Sequence, residues 1–91
     1  MNKETISAMI KAVEGSIASS KKAGFTVEQT VDAALTAAKN VAKNASDQQT
    51  VKALNDALQT VSRRAKELKL SVDEAGKQMI QVLKDKMGHI K

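Results

Sequence analysis

The 91-residue sequence contains no cysteine and no proline, and Phe25 is its only aromatic residue. Without cysteine, the chain can form neither disulfides nor thiolate metal ligands. Proline interrupts helices and is common in turns, so its absence favours a chain that is almost entirely helical with short connections. Because fourteen residues are alanine, the core must be built from aliphatic side chains, many of them small.

A core of this composition is thin. Burying a leucine, isoleucine or valine contributes roughly 1.5–3 kcal/mol, whereas ordering each residue costs about 1.5 kcal/mol. A monomer is therefore marginally stable, and a homodimer is one way to bury more apolar surface. The sequence also lacks the continuous apolar run of a secretory signal or a transmembrane helix. We expect a small cytoplasmic protein with no transmembrane segment, of a kind common in bacterial and phage genomes.

The sequence resembles itself when it is shifted by 45 residues. Six positions are then identical, and other apolar positions align with apolar positions. Thr26 falls on Ser71, and Phe25 falls on Leu70. A fixed period of this length indicates a fold built from repeated supersecondary units.

Apolar residues recur at intervals of three and four residues, which is the period of an α-helix. The pattern predicts four helices, at about 5–23, 26–44, 47–69 and 71–87. The apolar stripes comprise Ile6, Met9, Ile10, Val13 and Ile17 in the first helix; Val27, Val31, Ala34, Leu35, Ala38, Val41 and Ala42 in the second; Val51, Leu54, Leu58, Val61, Ala65 and Leu68 in the third; and Val72, Ala75, Met79, Val82 and Leu83 in the fourth.

The junctions between these helices carry helix start and stop signals. Gly24 suits the left-handed residue that ends a helix, with Phe25 as the apolar residue that closes the motif. Asn44 tolerates the same conformation at the end of the second helix. Three pairs match the capping box, in which a serine or threonine precedes a glutamate or glutamine by three residues. They are Thr26 with Gln29, Ser46 with Gln49, and Ser71 with Glu74.

These signals predict an all-α fold, a compact bundle of four helices formed by two similar hairpins, 1–45 and 46–91, within a single domain, 1–91. The turns fall at Gly24 and Phe25 and at Lys69 and Leu70. A two-unit fragment of a helical-repeat array has a similar period, but two units are too few for a free-standing solenoid. The predicted shared core comprises Leu54, Leu58, Val61, Ile10, Val13 and Leu83.

Residues capable of catalysis are few. The only histidine is His89, near the end of the chain, and no cluster has metal-ligand spacing or the pattern of a phosphate-binding loop. The carboxylates Glu28, Asp32, Asp73 and Glu74 fall near predicted helix starts, where they complement the helix dipole. We therefore expect no enzymatic activity, no catalytic or metal-binding residue and no cofactor.

The formal net charge is +5, and every predicted helix ends in cations. Helix-dipole complementarity alone would produce that pattern. Hairpin geometry also brings the ends of the first and third helices to one end of the bundle, where their cations could form a patch for an anionic partner. The candidate patch comprises Lys21, Lys22, Arg63, Arg64, Lys66 and Lys69.

Gly15 and Gly76 lie inside predicted helices, where each costs roughly 1 kcal/mol relative to alanine. One interpretation is close approach between helices, favoured around Gly15 by Ala12, Ser16 and Ser19. The alternative is a loosened first helix that adapts to a partner.

A well-capped scaffold without reactive groups predicts a small protein-interaction module, such as an adaptor, inhibitor or assembly factor, that binds another protein through a helix face. Weak, sequence-independent nucleic-acid binding by the basic helix ends is the main alternative. A third alternative is membrane-surface binding by the amphipathic first helix, although that helix lacks aromatic anchors.

Overall fold

The computed structural model describes residues 3–88, which form four α-helices. They are α1 (Lys3–Ala23), α2 (Val27–Ala42), α3 (Gln48–Glu67) and α4 (Val72–Gly88). Within this range no residue belongs to a β-strand. The predicted all-α, four-helix fold is confirmed.

The helices form a ring in which neighbours in sequence are neighbours in space. α1 packs on α2 and α4, and α3 packs on the same two helices from the other side. α2 and α4 also touch across the centre, whereas within residues 3–88 α1 and α3 do not meet. The short connections make successive helices antiparallel. The turns at 24–26 and 68–71 therefore lie at one end of the bundle, called here the turn end.

The centre of the bundle is filled by the predicted apolar stripes. Ile10, Val13, Leu54, Leu58 and Leu83 are all buried, as predicted. The predicted core residue Val61 is only half-buried, and its neighbour Ser62 is buried with 3% of its surface exposed. The prediction for Val61 was therefore only partly right.

Three large apolar side chains lie outside the core. Leu68 is 65% exposed, Val41 is 46% exposed and Phe25 is 44% exposed, although the sequence pattern placed all of them on buried stripes or turns. For Leu68 the reason is geometric, because an α-helix rotates a seven-residue repeat by about 20° per heptad. Counted from Leu54, the drift is about 20° at Val61 and about 40° at Leu68, and Leu68 also follows the last residue of α3 as its C-cap.

The turn between α1 and α2 is closed as predicted by a left-handed glycine. Gly24 has a φ of 75°. The Gly24 N–H donates to the carbonyl of Lys21, and the Phe25 N–H donates to the carbonyl of Ser20. This pair of hydrogen bonds is the Schellman motif.

The turn between α3 and α4 has the same hydrogen bonds 45 residues later. The Lys69 N–H donates to the carbonyl of Lys66, and the Leu70 N–H donates to the carbonyl of Ala65. Lys69 adopts the left-handed φ, 53°, that Gly24 adopts in the first turn. The 45-residue correspondence thus extends to the backbone of the two turns, while superposition of the two hairpins stays a prediction.

Two of the predicted helix caps are present. The Thr26 hydroxyl accepts from the Gln29 N–H at 3.2 Å, and the Gln29 side chain accepts from the Thr26 N–H at 3.0 Å. At the start of α4, the Ser71 hydroxyl accepts from the Glu74 N–H at 3.1 Å, which is the serine half of the predicted box. Both caps satisfy backbone donors that a helix start leaves unpaired.

The connection between α2 and α3 differs from the prediction. The cap of α3 is Asp47, whose carboxylate accepts from the Thr50 N–H at 3.1 Å and from the Thr50 hydroxyl at 2.5 Å, so the Ser46 and Gln49 box was wrong. A carboxylate with two donors is a stronger cap than a serine hydroxyl with one.

The end of α2 also differs, since α2 stops at Ala42 and the only left-handed non-glycine residue within 3–88 is Lys69 rather than Asn44. The Gln48 side-chain amide instead donates to the carbonyls of Ala42 and Lys43, at 3.3 and 3.2 Å, and to that of Ala45.

The Asp47 cap should make stability depend on pH. The two hydrogen bonds from Thr50 lower the pKa of Asp47 from 3.8 to about 2. Because the pKa of Asp47 is lower in the folded than in the unfolded protein, its ionised form stabilises the fold at pH values above the unfolded-state pKa. This stabilisation is lost as the pH falls through the folded-state pKa. Asp47→Asn should therefore destabilise the protein at pH 7, and the difference from wild type should shrink between about pH 4 and pH 2. Urea unfolding across that range measures it, and a difference that is equally large at pH 2 would contradict the prediction.

The two helical glycines have different surroundings. A Cβ atom at Gly76 would lie 2.8 Å from Ile17 Cδ1 and 3.2 Å from Ile17 Cγ2, so α1 and α4 approach closely there. At Gly15 no such atom lies within 4 Å, and the residue is exposed. Close helix approach is thus confirmed at Gly76 and wrong at Gly15.

Candidate functional site

α3 is the helix least enclosed by its neighbours, since it packs less extensively than the other three. An open depression runs along each of its flanks. The apolar groove lies between α3 and α4, has a volume of about 260 Å³, and is lined by Ala53, Leu54, Ala57, Val82, Asp85 and Lys86. The polar cleft lies between α2 and α3, has a volume of about 500 Å³, and is lined mainly by Asp32, Asp56, Gln59, Ser62, Arg63 and Lys66.

The apolar groove is a shallow surface of small side chains. Ala53 is exposed and Ala57 is half-buried, and both lie on the flank of α3 that faces α4. Leu54 below them is buried, and Val82 on α4 is half-buried. Because the alanines are four residues apart, they form one face along which another helix could approach closely. The charged Asp85 and Lys86 lie at its edge.

The polar cleft combines charges of both signs with a buried hydroxyl. Lys66 bridges it by donating to the Asp32 carboxylate at 2.9 Å. The Ser62 hydroxyl is buried and has no hydrogen-bond partner among the described residues. The Asn55 side-chain oxygen, seven residues earlier on α3, is also buried and also has no hydrogen-bond partner among the described residues. Buried polar atoms without partners are uncommon in folded proteins.

The candidate anionic-partner patch is divided by the fold. Lys21 and Lys22 end α1, whereas Arg63, Arg64, Lys66 and Lys69 lie at the end of α3. Both groups are at the turn end, but α1 and α3 occupy opposite corners of the ring with the starts of α2 and α4 between them. The sequence placed these cations at the correct end and could not show their separation.

Acidic residues pair with three members of this set, two of them across neighbouring helices and one within α3. Lys21 donates to Asp73 at 2.6 Å, Lys66 donates to Asp32, and Arg63 lies 3.9 Å from Glu67. Within residues 3–88, Lys22, Arg64 and Lys69 form no ion pair. The paired side chains of Lys21, Arg63 and Lys66 are still 51%, 71% and 36% exposed. The cations therefore remain accessible to solvent, and their binding of an anionic partner stays a prediction.

Sequence reasoning missed both depressions, although each left a signal. Ala53 and Ala57 lie on the side of α3 next to the apolar stripe, where long polar residues would be expected on a solvated face. Ser62 occupies a position that a 3.6-residue period buries, next to the valine that the seven-residue period selected. Assigning the faces of α3 with a 3.6-residue period in place of a seven-residue repeat would have indicated both the apolar groove and the polar cleft.

The described residues contain no group of three or more histidine, cysteine, aspartate or glutamate side chains able to hold a metal ion. His89 lies outside the described range. Of the helices α1 to α4, none is long and apolar enough to cross a membrane. Comparisons with protein-family models, with curated proteins and with solved structures find no match to this chain.

Proposed function

We propose that this chain is a small non-enzymatic protein-interaction module, an adaptor, inhibitor or assembly factor, that binds another protein through the exposed face of α3. The observation that carries the proposal is the apolar groove, which leaves Ala53 exposed and Ala57 and Val82 half-buried on one side of the least enclosed helix.

The groove has the features of a helix-binding surface. A partner helix could lay an apolar stripe against Ala53, Ala57 and Val82, a mode of recognition common among peptide-binding proteins. Small side chains permit a short distance between helix axes, which increases the number of van der Waals contacts. Asp85 and Lys86 at the edge would favour polar groups there and so fix the orientation of the partner.

Ala53→Arg tests this proposal, because it places a long charged side chain across the groove without changing the core. Ala18→Arg is the matched control, since Ala18 is also an exposed alanine and lies on α1, across the bundle from α3. Both variants should keep the wild-type helical content. In a quantitative pull-down from source lysate, a protein retained by wild type and by Ala18→Arg should be lost with Ala53→Arg.

Light scattering on the purified protein tests whether that partner is a second copy of the chain. A homodimer that dissociates on Ala53→Arg and survives Ala18→Arg would identify self-association as the use of the groove. Equal capture by all three proteins would contradict binding at this face.

Nucleic-acid association is the alternative function, favoured by the accessible cations Arg64 and Lys69 at the end of α3. The double variant Arg63→Glu, Arg64→Glu separates the two functions. If these cations only complement the helix dipoles, the double variant should capture the partner protein as well as the wild type does. If they bind phosphates, the variant should abolish binding to duplex DNA or RNA, which in the wild type should fall steeply with salt. Tight binding to one sequence at physiological salt would reject the protein-interaction proposal.

A further inference from the structure

The polar cleft between α2 and α3 contains a buried hydroxyl that the helix itself does not satisfy. Hydroxyls on helices are usually satisfied by the carbonyl four residues earlier. Thr30, Thr36 and Thr60 donate in this way at 2.8, 3.0 and 3.0 Å. Ser62 makes no such bond although only 3% of the residue is exposed. Its hydroxyl is therefore a buried group with unused hydrogen-bonding capacity, on a residue that lines the cleft.

The charges of the cleft cancel, which restricts what it can bind. Lys66 neutralises Asp32 across the opening. The Asp56 carboxylate has no ion pair among the described residues, and the Arg63 guanidinium has only the 3.9 Å contact with the exposed Glu67. One available negative group and one available positive group remain. A ligand of net charge would be attracted by one and repelled by the other, whereas a dipolar ligand matches both.

The spacing of these two groups sets the size of the ligand. Asp56 and Arg63 are seven residues apart on α3, which corresponds to about 10 Å along the helix axis. An extended peptide spans at most about 3.3–3.6 Å per residue, so three residues cover the same distance. The cleft volume of about 500 Å³ is within the range of small-molecule sites, about 300–1,000 Å³.

The geometry points to a binding site for a short peptide of about three residues with both termini free. Its ammonium group pairs with Asp56 and its carboxylate pairs with Arg63. Between them the peptide backbone, which carries both donors and acceptors, pairs with the Ser62 hydroxyl and the Gln59 amide. The apolar Leu35 side chain on α2 lines the same cleft and packs against the peptide. This site is separate from the apolar groove on the other flank of α3, so it does not depend on the proposed function.

Titration of the full chain with tri-alanine, followed by the backbone amide NMR shifts of α2 and α3, tests the proposal. Saturable binding with a Kd of about 1 mM is expected for a ligand of this size with exposed charge pairs. N-acetyl-tri-alanine and tri-alanine amide each lack one charge and should each bind at least about tenfold more weakly, because each leaves one protein charge unpaired.

Three variants and one control assign the contacts. Asp56→Asn should weaken tri-alanine binding about tenfold and remove the difference between tri-alanine and its N-acetyl form. Arg63→Gln should likewise remove the difference between tri-alanine and its amide. Arg64→Gln is the matched control on the next residue, outside the cleft, and should change neither. Ser62→Ala should raise the melting temperature, because it removes a buried unpaired hydroxyl, and should weaken binding of all three peptides.

Several outcomes would overturn the site. Tens of millimolar tri-alanine are enough to detect binding energies of only about 2–3 kcal/mol. If no saturable shifts appear at that concentration, the cleft holds water and the peptide-site proposal is rejected. Equal binding of the free and end-blocked peptides would reject the charge pairing. Equal weakening by Arg63→Gln and Arg64→Gln would show non-specific attraction. Binding of inorganic phosphate in competition with tri-alanine would indicate an anion site in place of a peptide site.

Discussion

Replacing Leu58 with alanine should lower the free energy of unfolding by about 2–5 kcal/mol, the range for buried leucine truncations. Leu58 is fully buried at the centre of the α3 stripe. The substitution loses apolar burial and leaves a cavity in a core that already contains many alanines. Because a domain of this size is stabilised by only about 5–15 kcal/mol, the variant should be close to unfolding at body temperature.

Leu68→Ala is the matched control for this measurement. It removes the same side-chain atoms at the residue that caps the end of α3, but Leu68 is 65% exposed, so the change should be within about 0.5 kcal/mol. Urea unfolding of both variants, followed by circular dichroism, gives the comparison. A loss below about 1 kcal/mol for Leu58→Ala, the average for point mutations in general, would be inconsistent with a central position in the core.

Gly76→Leu should destabilise the bundle by about 1–3 kcal/mol, the usual cost of inserting side-chain atoms into a packed interior. Even a single Cβ atom at Gly76 would lie 2.8 Å from Ile17 Cδ1. The larger side chain must push α1 and α4 apart or force Ile17 out of its rotamer. Ile17 is itself 8% exposed and part of the core, so the disturbance reaches the centre of the bundle.

Gly15→Ala is the contrasting change, because no atom obstructs a Cβ there. It should stabilise α1 by about 0.5–1 kcal/mol through the lower backbone entropy of the unfolded chain. Ile17→Ala should be less destabilising in the Gly76→Leu background than in the wild type, since the two residues share one space. Thermal unfolding of the wild type, the three single variants and the double variant measures both effects. If Gly76→Leu were as stable as Gly15→Ala, α1 and α4 would not approach closely at Gly76.

The sequence was sufficient to predict the helices and most of the core, because local spacing and capping residues determine both. All five apolar residues assigned to the α1 stripe are buried. The predictions were wrong where a second local interaction, or a second sequence period, competed with the one used to make them. Asp47 was a better cap than its neighbour Ser46, the 3.6-residue period of α3 buried Ser62 more fully than Val61, and Leu68 fell beyond the end of the helix. At the end of α2, the Gln48 side-chain amide donates hydrogen bonds to the Ala42 and Lys43 carbonyls. A left-handed turn at Asn44 is therefore not needed to satisfy them.

The candidate sites depend on information that a single sequence does not hold. The basic residues could be assigned to the turn end, because antiparallel hairpins require it. Their separation, the pairing of Lys66 with Asp32 and the two depressions beside α3 depend on which helices are neighbours in the ring. Several ring orders are compatible with the same apolar stripes, so the neighbours of α3 could not be derived from its own pattern.

The ring order also bears on how fast the chain folds. Three of the four neighbouring helix pairs are consecutive in sequence and are joined by short connections, so most contacts form by closing small loops. Chains rich in such local contacts fold in microseconds to milliseconds. Without proline, refolding should also lack the slow phase of tens of seconds that prolyl isomerisation produces. The pairing of α1 with α4 joins the most distant helices of the chain, and it should be the last contact to form.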